Sequence, residues 1–213
     1  MTSPIDAVLA IHNAFRADIA LIDEAAVGAG RGRPGLEETL DRFRFMNEVL
    51  VWHADGEEQG MFVELEAVAP CVAEAYEKDH RALDAAFESL SAAVTARDAL
   101  ETARSTAAFR YYLDVHLAKE DAHLYRIIRE RVSLADQAKA VGVMAGGVPQ
   151  DRFPEFVVWL YPLMGDQDRE NMTRIWQMLM PDEVFIGACG LIQQAIGVEY
   201  AELTRRIPEL VAA

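Results

Sequence analysis

The chain has 213 residues and a formal net charge of −15, and 52% of its residues are hydrophobic. A surface this acidic repels phosphate backbones, so we expect no nucleic-acid partner. Eight prolines and thirteen glycines are few for this length, and the abundance of Ala, Leu, Glu and Arg favours an all-α fold.

Apolar residues recur at helical spacing in four segments of the first half of the chain. We expect helices A to D at about residues 4–27, 36–68, 71–94 and 98–132, with a glycine-rich connector at 28–35. Together they predict an up-down-up-down four-helix bundle over residues 1–132. Gly56 and Gly60 lie inside helix B, where they lower helix propensity by about 1 kcal/mol each, so they indicate a close approach by another segment.

The pattern changes at Ser133, a predicted N-cap, to shorter helices separated by glycine and proline. We expect residues 133–213 to form a C-terminal helical extension that packs on the bundle, closes its open end or forms a homodimer interface. Its large side chains include Trp159, Tyr161, Met164, Trp176, Met178 and Met180.

The cysteines and termini bear on the cellular compartment. Cys71 and Cys189 are far apart, so they predict neither a disulfide framework nor a thiolate metal site. The segment Met1-Thr2-Ser3-Pro4 lacks the features of a signal peptide, and the apolar stretch from Val184 to Val198 is too short to span a bilayer. We therefore expect a cytoplasmic protein without a membrane partner.

All five histidines lie in the first 123 residues, and each of helices A to D carries one on its apolar face. Helices B and D both contain His-x-x-x-Glu, a spacing that puts both side chains on one helical face. Counting residues from the predicted turns places all these side chains at one depth of the bundle. The candidate ligands are His12, His53, Glu57, His80, His116 and Glu120.

This residue set predicts a metal site. Imidazole and carboxylate are ligands that suit iron and manganese. Burying six such groups is costly, and two cations would neutralise the carboxylates and use the imidazole lone pairs. These ligand types leave iron and manganese open at this point.

The order His, His-x-x-x-Glu, His, His-x-x-x-Glu over about residues 5 to 132 resembles the hemerythrin-like or HHE cation-binding domain family. The resemblance implies a centre of two non-haem iron ions, in preference to manganese or zinc. The ions are expected to be oxo- or hydroxo-bridged, with Glu57 and Glu120 as bridging ligands. It also implies binding of a small diatomic ligand (dioxygen or nitric oxide), of peroxide, or of iron itself.

Three features of the sequence qualify this resemblance. Oxygen-carrying members have His-x-x-x-His on helix C, whereas His80 is followed by Asp84, so Asp84 or water is the expected ligand there. His123 lies on the predicted inner face of helix D and is either a ligand, a hydrogen-bond partner of one, or an ordinary residue. Glu58 and Asp121 point about 100° away from the neighbouring ligand on their own helix. We expect each either to face solvent or to form a hydrogen bond with one of the ligands.

Alternatives remain at this point. Glu77-x-x-His80 and Glu120-x-x-His123 match the Glu-x-x-His motif of ferritin-like di-iron proteins, but they fall on helices C and D rather than B and D. Besides a binding protein, we consider a peroxide-consuming, catalase-like enzyme, and a metal-sensing or interaction protein that acts through the C-terminal helices. Whether the chain is an enzyme stays open. The aromatic residues expected round the site are Trp52, Tyr76, Tyr112 and Tyr125.

Overall fold

The computed structural model describes residues 3–212, without the side chains of Leu36, Val211 and Ala212. Every regular element in this range is helical, and the described part contains no β-strand. The prediction of an all-α protein is therefore confirmed. Met1 and Thr2, on which the signal-peptide prediction partly rests, lie outside the described residues.

Long helices come first, and two of them continue through π-helical turns. They are α1 (Ile5–Gly30), α2 (Leu36–Gly56) with a first π turn (Glu57–Met61) and α3 (Phe62–Val68), α4 (Ala73–Thr95), and α5 (Ala99–Lys119) with a second π turn (Glu120–Leu124) and α6 (Tyr125–Arg131). The C-terminal helices are α7 (Leu134–Gly146), α8 (Phe153–Leu163), α9 (Asp166–Leu179), α10 (Asp182–Ile196) and α11 (Tyr200–Arg206), with 3₁₀ turns at Gly197–Glu199 and Pro208–Ala212.

The predicted connector at 28–35 is partly wrong, because α1 continues through Gly28 to Gly30. A Cβ atom on Gly30 would lie 3.3 Å from the carbonyl oxygen of Ala99, so the end of α1 packs closely on the start of α5. Packing of this kind offsets the low helix propensity of glycine. Helix C likewise begins later than expected, at Ala73, because Cys71 has a φ of +66°, which a helix does not accommodate.

Helix α1 packs against α2 and α5, and α4 packs against α5 and α2. Their facing sides bury large apolar side chains such as Phe15, Met46, Phe109 and Leu113. The hydrophobic effect of this shared core holds the four helices together, and it fixes which helix faces meet. The candidate ligands lie on those faces.

The C-terminal helices pack on the long helices. Helix α7 contacts α2 and the first π turn, while α8 and α9 contact α1. The buried carboxylate of Asp18 on α1 accepts a hydrogen bond from Trp159 Nε1 on α8 at 2.7 Å, and it also accepts one from Arg42 on α2. A buried carboxylate needs such partners, so Asp18 ties the extension to two of the long helices.

The segment Asp182–Arg206 is long and apolar enough to cross a membrane, judged by length and composition only. It is longer than the apolar stretch from Val184 to Val198 that was identified from the sequence, because α11 follows α10 closely. The two helices meet at Gly197, which has a φ of +52°, and α10 packs against α8 through its buried face. The absence of a membrane partner stays a prediction.

Ser133 is the N-cap of α7, as predicted, and its hydroxyl accepts a hydrogen bond from the backbone N–H of Asp136. The close approach predicted at Gly56 and Gly60 is also confirmed. A Cβ atom on Gly56 would lie 2.8 Å from the Cα of Met144, and one on Gly60 would lie 2.8 Å from the carbonyl oxygen of Ala140. Both contacts are with α7.

Replacing Gly60 by alanine should therefore force α7 away from the first π turn. We expect Gly60→Ala to lower the free energy of unfolding by about 1–3 kcal/mol, the usual cost of overpacking a well-packed core. Urea unfolding followed by circular dichroism measures this change. A Cβ atom on Gly142, also on α7, would have no atom of the described residues within 4 Å. Gly142→Ala is therefore the matched control and should be neutral or slightly stabilising. Equal stability of Gly60→Ala and the parent chain would contradict the close contact.

Candidate metal centre

Six buried side chains from the long helices meet in two groups that share both carboxylates. In each group, one candidate ligand atom per residue lies within 4.8 Å of the others. The groups are His12, His53, Glu57 and Glu120, and Glu57, His80, His116 and Glu120. The structure thus brings together all six residues that the sequence singled out.

Interatomic distances within the cluster are short. His53 Nε2 lies 3.2 Å from Glu57 Oε1 and 3.0 Å from His12 Nε2. On the other side, His116 Nε2 lies 3.3 Å from Glu120 Oε2. Each carboxylate also reaches across the cluster, since Glu57 Oε2 lies 3.4 Å from His80 Nε2 and Glu120 Oε2 lies 3.6 Å from His12 Nε2.

Both carboxylates begin π-helical turns. Glu57 is the first residue of the turn Glu57–Met61, and Glu120 is the first residue of Glu120–Leu124. Such turns are rare and occur mostly at functional sites, because they insert one extra residue into the helix and change which residues face inward. Here they place Phe62 and Tyr125, each five residues after a carboxylate, inside the protein.

A second set of carboxylates orients two of the histidines. His12 Nδ1 lies 2.7 Å from Asp121 Oδ1, and His80 Nδ1 lies 2.9 Å from Glu58 Oε1. A hydrogen bond at Nδ1 fixes the ring and leaves Nε2 directed at the cluster with its lone pair available. Of the two roles left open for Glu58 and Asp121, the structure thus favours hydrogen bonding to the histidines.

Tyr125 contacts the cluster directly, because its hydroxyl donates a hydrogen bond to Glu57 Oε1. The other aromatic residues expected nearby are placed differently. Tyr76 is buried and its hydroxyl donates to the backbone oxygen of Lys119 at 3.4 Å, and Trp52 is half-buried. Tyr112 is 50% exposed, so its expected place near the site is wrong.

Several atoms of the cluster have no hydrogen-bond partner in the described part of the chain, although they are buried. Those that face the cluster are Glu57 Oε2, His80 Nε2 and both carboxylate oxygens of Glu120, and the Nδ1 atoms of His53 and His116 are also without a partner. Leaving such groups unpaired costs about 1–3 kcal/mol each, and more when they are charged. Cations would satisfy lone pairs of this kind, so the residues present fit a pair of metal ions.

The pKa shifts of the buried groups also indicate that the cluster is electrostatically unfavourable without cations. Burial raises the pKa of Glu120 well above its usual value, and the charge of Glu57 adds to the shift. The pKa of Glu57 lies well below its usual value, since its contacts with His53 and His12 outweigh the opposing effect of burial. Burial also lowers the pKa of His116 to about 4, which keeps its ring neutral. Without cations, these shifts therefore favour the charged form of Glu57 and the protonated form of Glu120.

His123 and Asp84 are not part of the cluster. His123 is exposed, so its predicted inward position is wrong. The cause is the second π turn, whose extra residue moves the next inward positions from His123 to Leu124 and Tyr125. Asp84 is exposed as well, although it lines a polar pocket that reaches the cluster.

The ferritin-like interpretation of the two Glu-x-x-His motifs is not supported by the structure. Glu77 belongs to neither group and lies near Arg81, with 3.6 Å between its carboxylate and the guanidinium. His123, the histidine of the other motif, is exposed. The six residues that lie together are those of the other order, His, His-x-x-x-Glu, His, His-x-x-x-Glu.

Two proteins of Arabidopsis thaliana are similar to this chain. Zinc finger protein BRUTUS is 25% identical over 201 residues, which cover 91% of this chain and 16% of that protein. Zinc finger protein BRUTUS-like At1g18910 is 22% identical over 192 residues, which cover 85% of this chain and 15% of that protein. No family model and no solved structure matches the chain.

The chain therefore spans about one sixth of the length of these relatives. An aligned stretch of 201 residues includes both the long helices and C-terminal helices of this chain. The zinc finger in the names belongs to those proteins. In this chain, Cys71 is exposed, Cys189 is buried, and neither belongs to the two groups of candidate ligands.

The buried carboxyl group of Glu120 should destabilise the chain when no metal is present. Its raised pKa means that the folded chain keeps a proton which the unfolded chain releases above about pH 4.5, so this cost grows as the pH rises. Glutamine does not ionise. We expect Glu120→Gln to raise the free energy of unfolding by about 1–4 kcal/mol near neutral pH, with the gain vanishing as the pH falls towards 4.5.

Urea unfolding with a chelator present, at several pH values, measures this effect. Glu130→Gln is the control, because Glu130 is exposed on α6, and it should leave stability unchanged at every pH. A Glu120→Gln chain that is less stable than the parent at neutral pH would show that the carboxyl group does not lower the free energy of unfolding of the metal-free chain.

Proposed function

We propose that this chain is a hemerythrin-like protein that holds two iron ions between α1, α2, α4 and α5. His12 and His53 would hold one ion, His80 and His116 the other, and Glu57 and Glu120 would bridge them. The proposal includes an up-down-up-down order of the four long helices, a bundle over residues 1–132 with an extension over 133–213, and a cytoplasmic location. A homodimer interface stays one of the roles open to the C-terminal helices.

One observation carries this proposal: two groups of buried ligands share the same two carboxylates. A single structural cation would need only one such group. Two histidines on each side with carboxylates between them suit a pair of ions of intermediate softness, as iron is. The two longer relatives each contain a segment of about this length that is similar in sequence to this chain.

When bound, a pair of irons supplies redox chemistry that can bind dioxygen, nitric oxide or peroxide. The protein's own contribution is to fix and shield the ligands. Asp121 and Glu58 hold the rings of His12 and His80, and Tyr125 donates a hydrogen bond to Glu57. All six candidate ligands are at most 5% exposed, so little of their surface meets bulk solvent. We propose that the ligand is a small diatomic molecule.

Metal analysis tests the core of the proposal. We expect about two iron ions per chain, measured by mass spectrometry, together with the near-ultraviolet absorption of ferric iron. Glu57→Gln and Glu120→Gln should each lose at least one ion, because each replaces a charged bridging oxygen by a neutral amide. Glu38→Gln, at an exposed position on α2, should keep the full metal content. A parent chain that holds one zinc ion, or no metal, would refute the proposal.

Asp121→Asn tests whether the carboxylates outside the cluster support the ligands. Asparagine cannot accept as strong a hydrogen bond from His12 Nδ1, so the ring is held less firmly and is less basic. We expect the affinity for iron to fall about 10- to 100-fold, as is usual for such outer partners, measured by competition with a chelator. Asp114→Asn, at a half-exposed carboxylate on α5, is the control. Equal affinities for both variants would contradict this role of Asp121.

A further inference from the structure

An apolar cavity of about 90 Å³ lies between the long helices and the C-terminal extension. Buried residues of α1 and α2 form part of its wall, among them Val8, Val49 and His53. Towards the surface, the wall includes Ala145, which is exposed, and Val148, which is half-buried. The cavity thus connects the outside of α7 with one of the proposed metal ligands.

A second pocket, of about 130 Å³, also includes His53 in its wall, but its chemistry is different. Asp55, Glu58, Arg81 and Asp84 contribute to its lining, whereas no Asp, Glu, Lys or Arg lines the apolar cavity. His53 therefore borders two spaces, one charged and one apolar. Charged walls favour water and other solutes that form hydrogen bonds, and apolar walls favour small molecules of low polarity.

Size and polarity determine what the apolar cavity can take. A water molecule in a protein needs two to four polar partners. Apart from His53 and the indole N–H groups of Trp52 and Trp176, the wall consists of aliphatic, aromatic and methionine side chains, so it offers few such partners. Apolar cavities of about 150 Å³ stay dry and bind benzene or xenon. A cavity of about 90 Å³ is smaller, so it fits a diatomic gas or a xenon atom and not an organic substrate.

We propose that this cavity admits and holds the uncharged diatomic ligand next to His53, while the charged pocket admits water and hydrogen peroxide. The inference rests on the proposed function, which it extends by assigning a route to each class of ligand. It also gives the C-terminal extension a role, since α7, α8 and α9 contribute much of the cavity wall.

Xenon binding tests the cavity without any metal. Met144, Met172 and Met180 line the cavity, whereas Met46 and Met61 are buried elsewhere in the core. In the full, metal-free chain with ¹³C-labelled methionine methyl groups, we expect xenon pressure to shift the first three resonances and to leave the other two in place. Equal shifts for all five methyl groups, or no shift for the first three, would overturn the proposal.

A variant at the mouth of the cavity tests the route. Ala145→Trp puts a large ring at the exposed entrance, and Ala135→Trp is the matched control, because Ala135 is exposed on the same helix and does not line the cavity. In the iron-loaded, reduced chain, we expect Ala145→Trp to slow nitric oxide binding about tenfold, equivalent to about 1.4 kcal/mol. The rate of reaction with hydrogen peroxide should not change in either variant.

The possible outcomes separate this inference from the proposed function. If the chain does not load iron, the proposed function and the delivery role fail together. If the chain loads iron but Ala145→Trp and Ala135→Trp bind nitric oxide at equal rates, only the delivery role is overturned. If Ala145→Trp slows nitric oxide and hydrogen peroxide equally, the separation into two routes is overturned.

Discussion

The structure depends on one electrostatic constraint, the burial of Glu57 and Glu120 side by side in the core of the long helices. Two carboxylates in a region of low dielectric cannot both stay charged without compensation. The surrounding histidines compensate one of them, as the opposite pKa shifts of the two groups show. The buried carboxylates therefore lower the stability of the fold locally, and the burial of apolar side chains around them must outweigh this free-energy cost. Bound cations would remove it.

The surroundings of the two carboxylates repeat each other, although the sequence around them is only partly alike. The residue after each carboxylate, Glu58 or Asp121, accepts a hydrogen bond from a histidine of another helix. The residue five positions after each one packs beside that histidine, as Phe62 beside His80 and Tyr125 beside His12. The repeat breaks at this last pair, since Tyr125 alone brings a hydroxyl group, and that hydroxyl group contacts Glu57. The two sides of the centre are therefore chemically different.

Much of this arrangement can be predicted from the sequence because helical spacing carries it. His53 with Glu57 and His116 with Glu120 lie one turn apart, and this spacing holds up to the carboxylates themselves. Predictions from regular helical spacing are wrong directly after the carboxylates, because the local sequence contains no recognisable signal for a π turn. For that reason helical spacing assigns the inward position to His123. It places Tyr125 near the site only in general terms and does not predict the contact of its hydroxyl group with Glu57. Contacts between separate helices, such as that of Asp121 with His12, also cannot be predicted from spacing within one helix, because they depend on how the helices pack.

The C-terminal extension is separate from the long helices in sequence, but it shares their core. Gly56 and Gly60 lack side chains, which lets the backbone of α7 lie against the helix on both sides of Glu57. The position of that carboxylate therefore depends on α7 as well as on its own helix. Because α7 also contributes to the cavity wall beside His53, a shift of α7 would alter both a bridging ligand and the apolar approach to the centre. Residues outside the predicted bundle thus help to set the geometry of the site inside it.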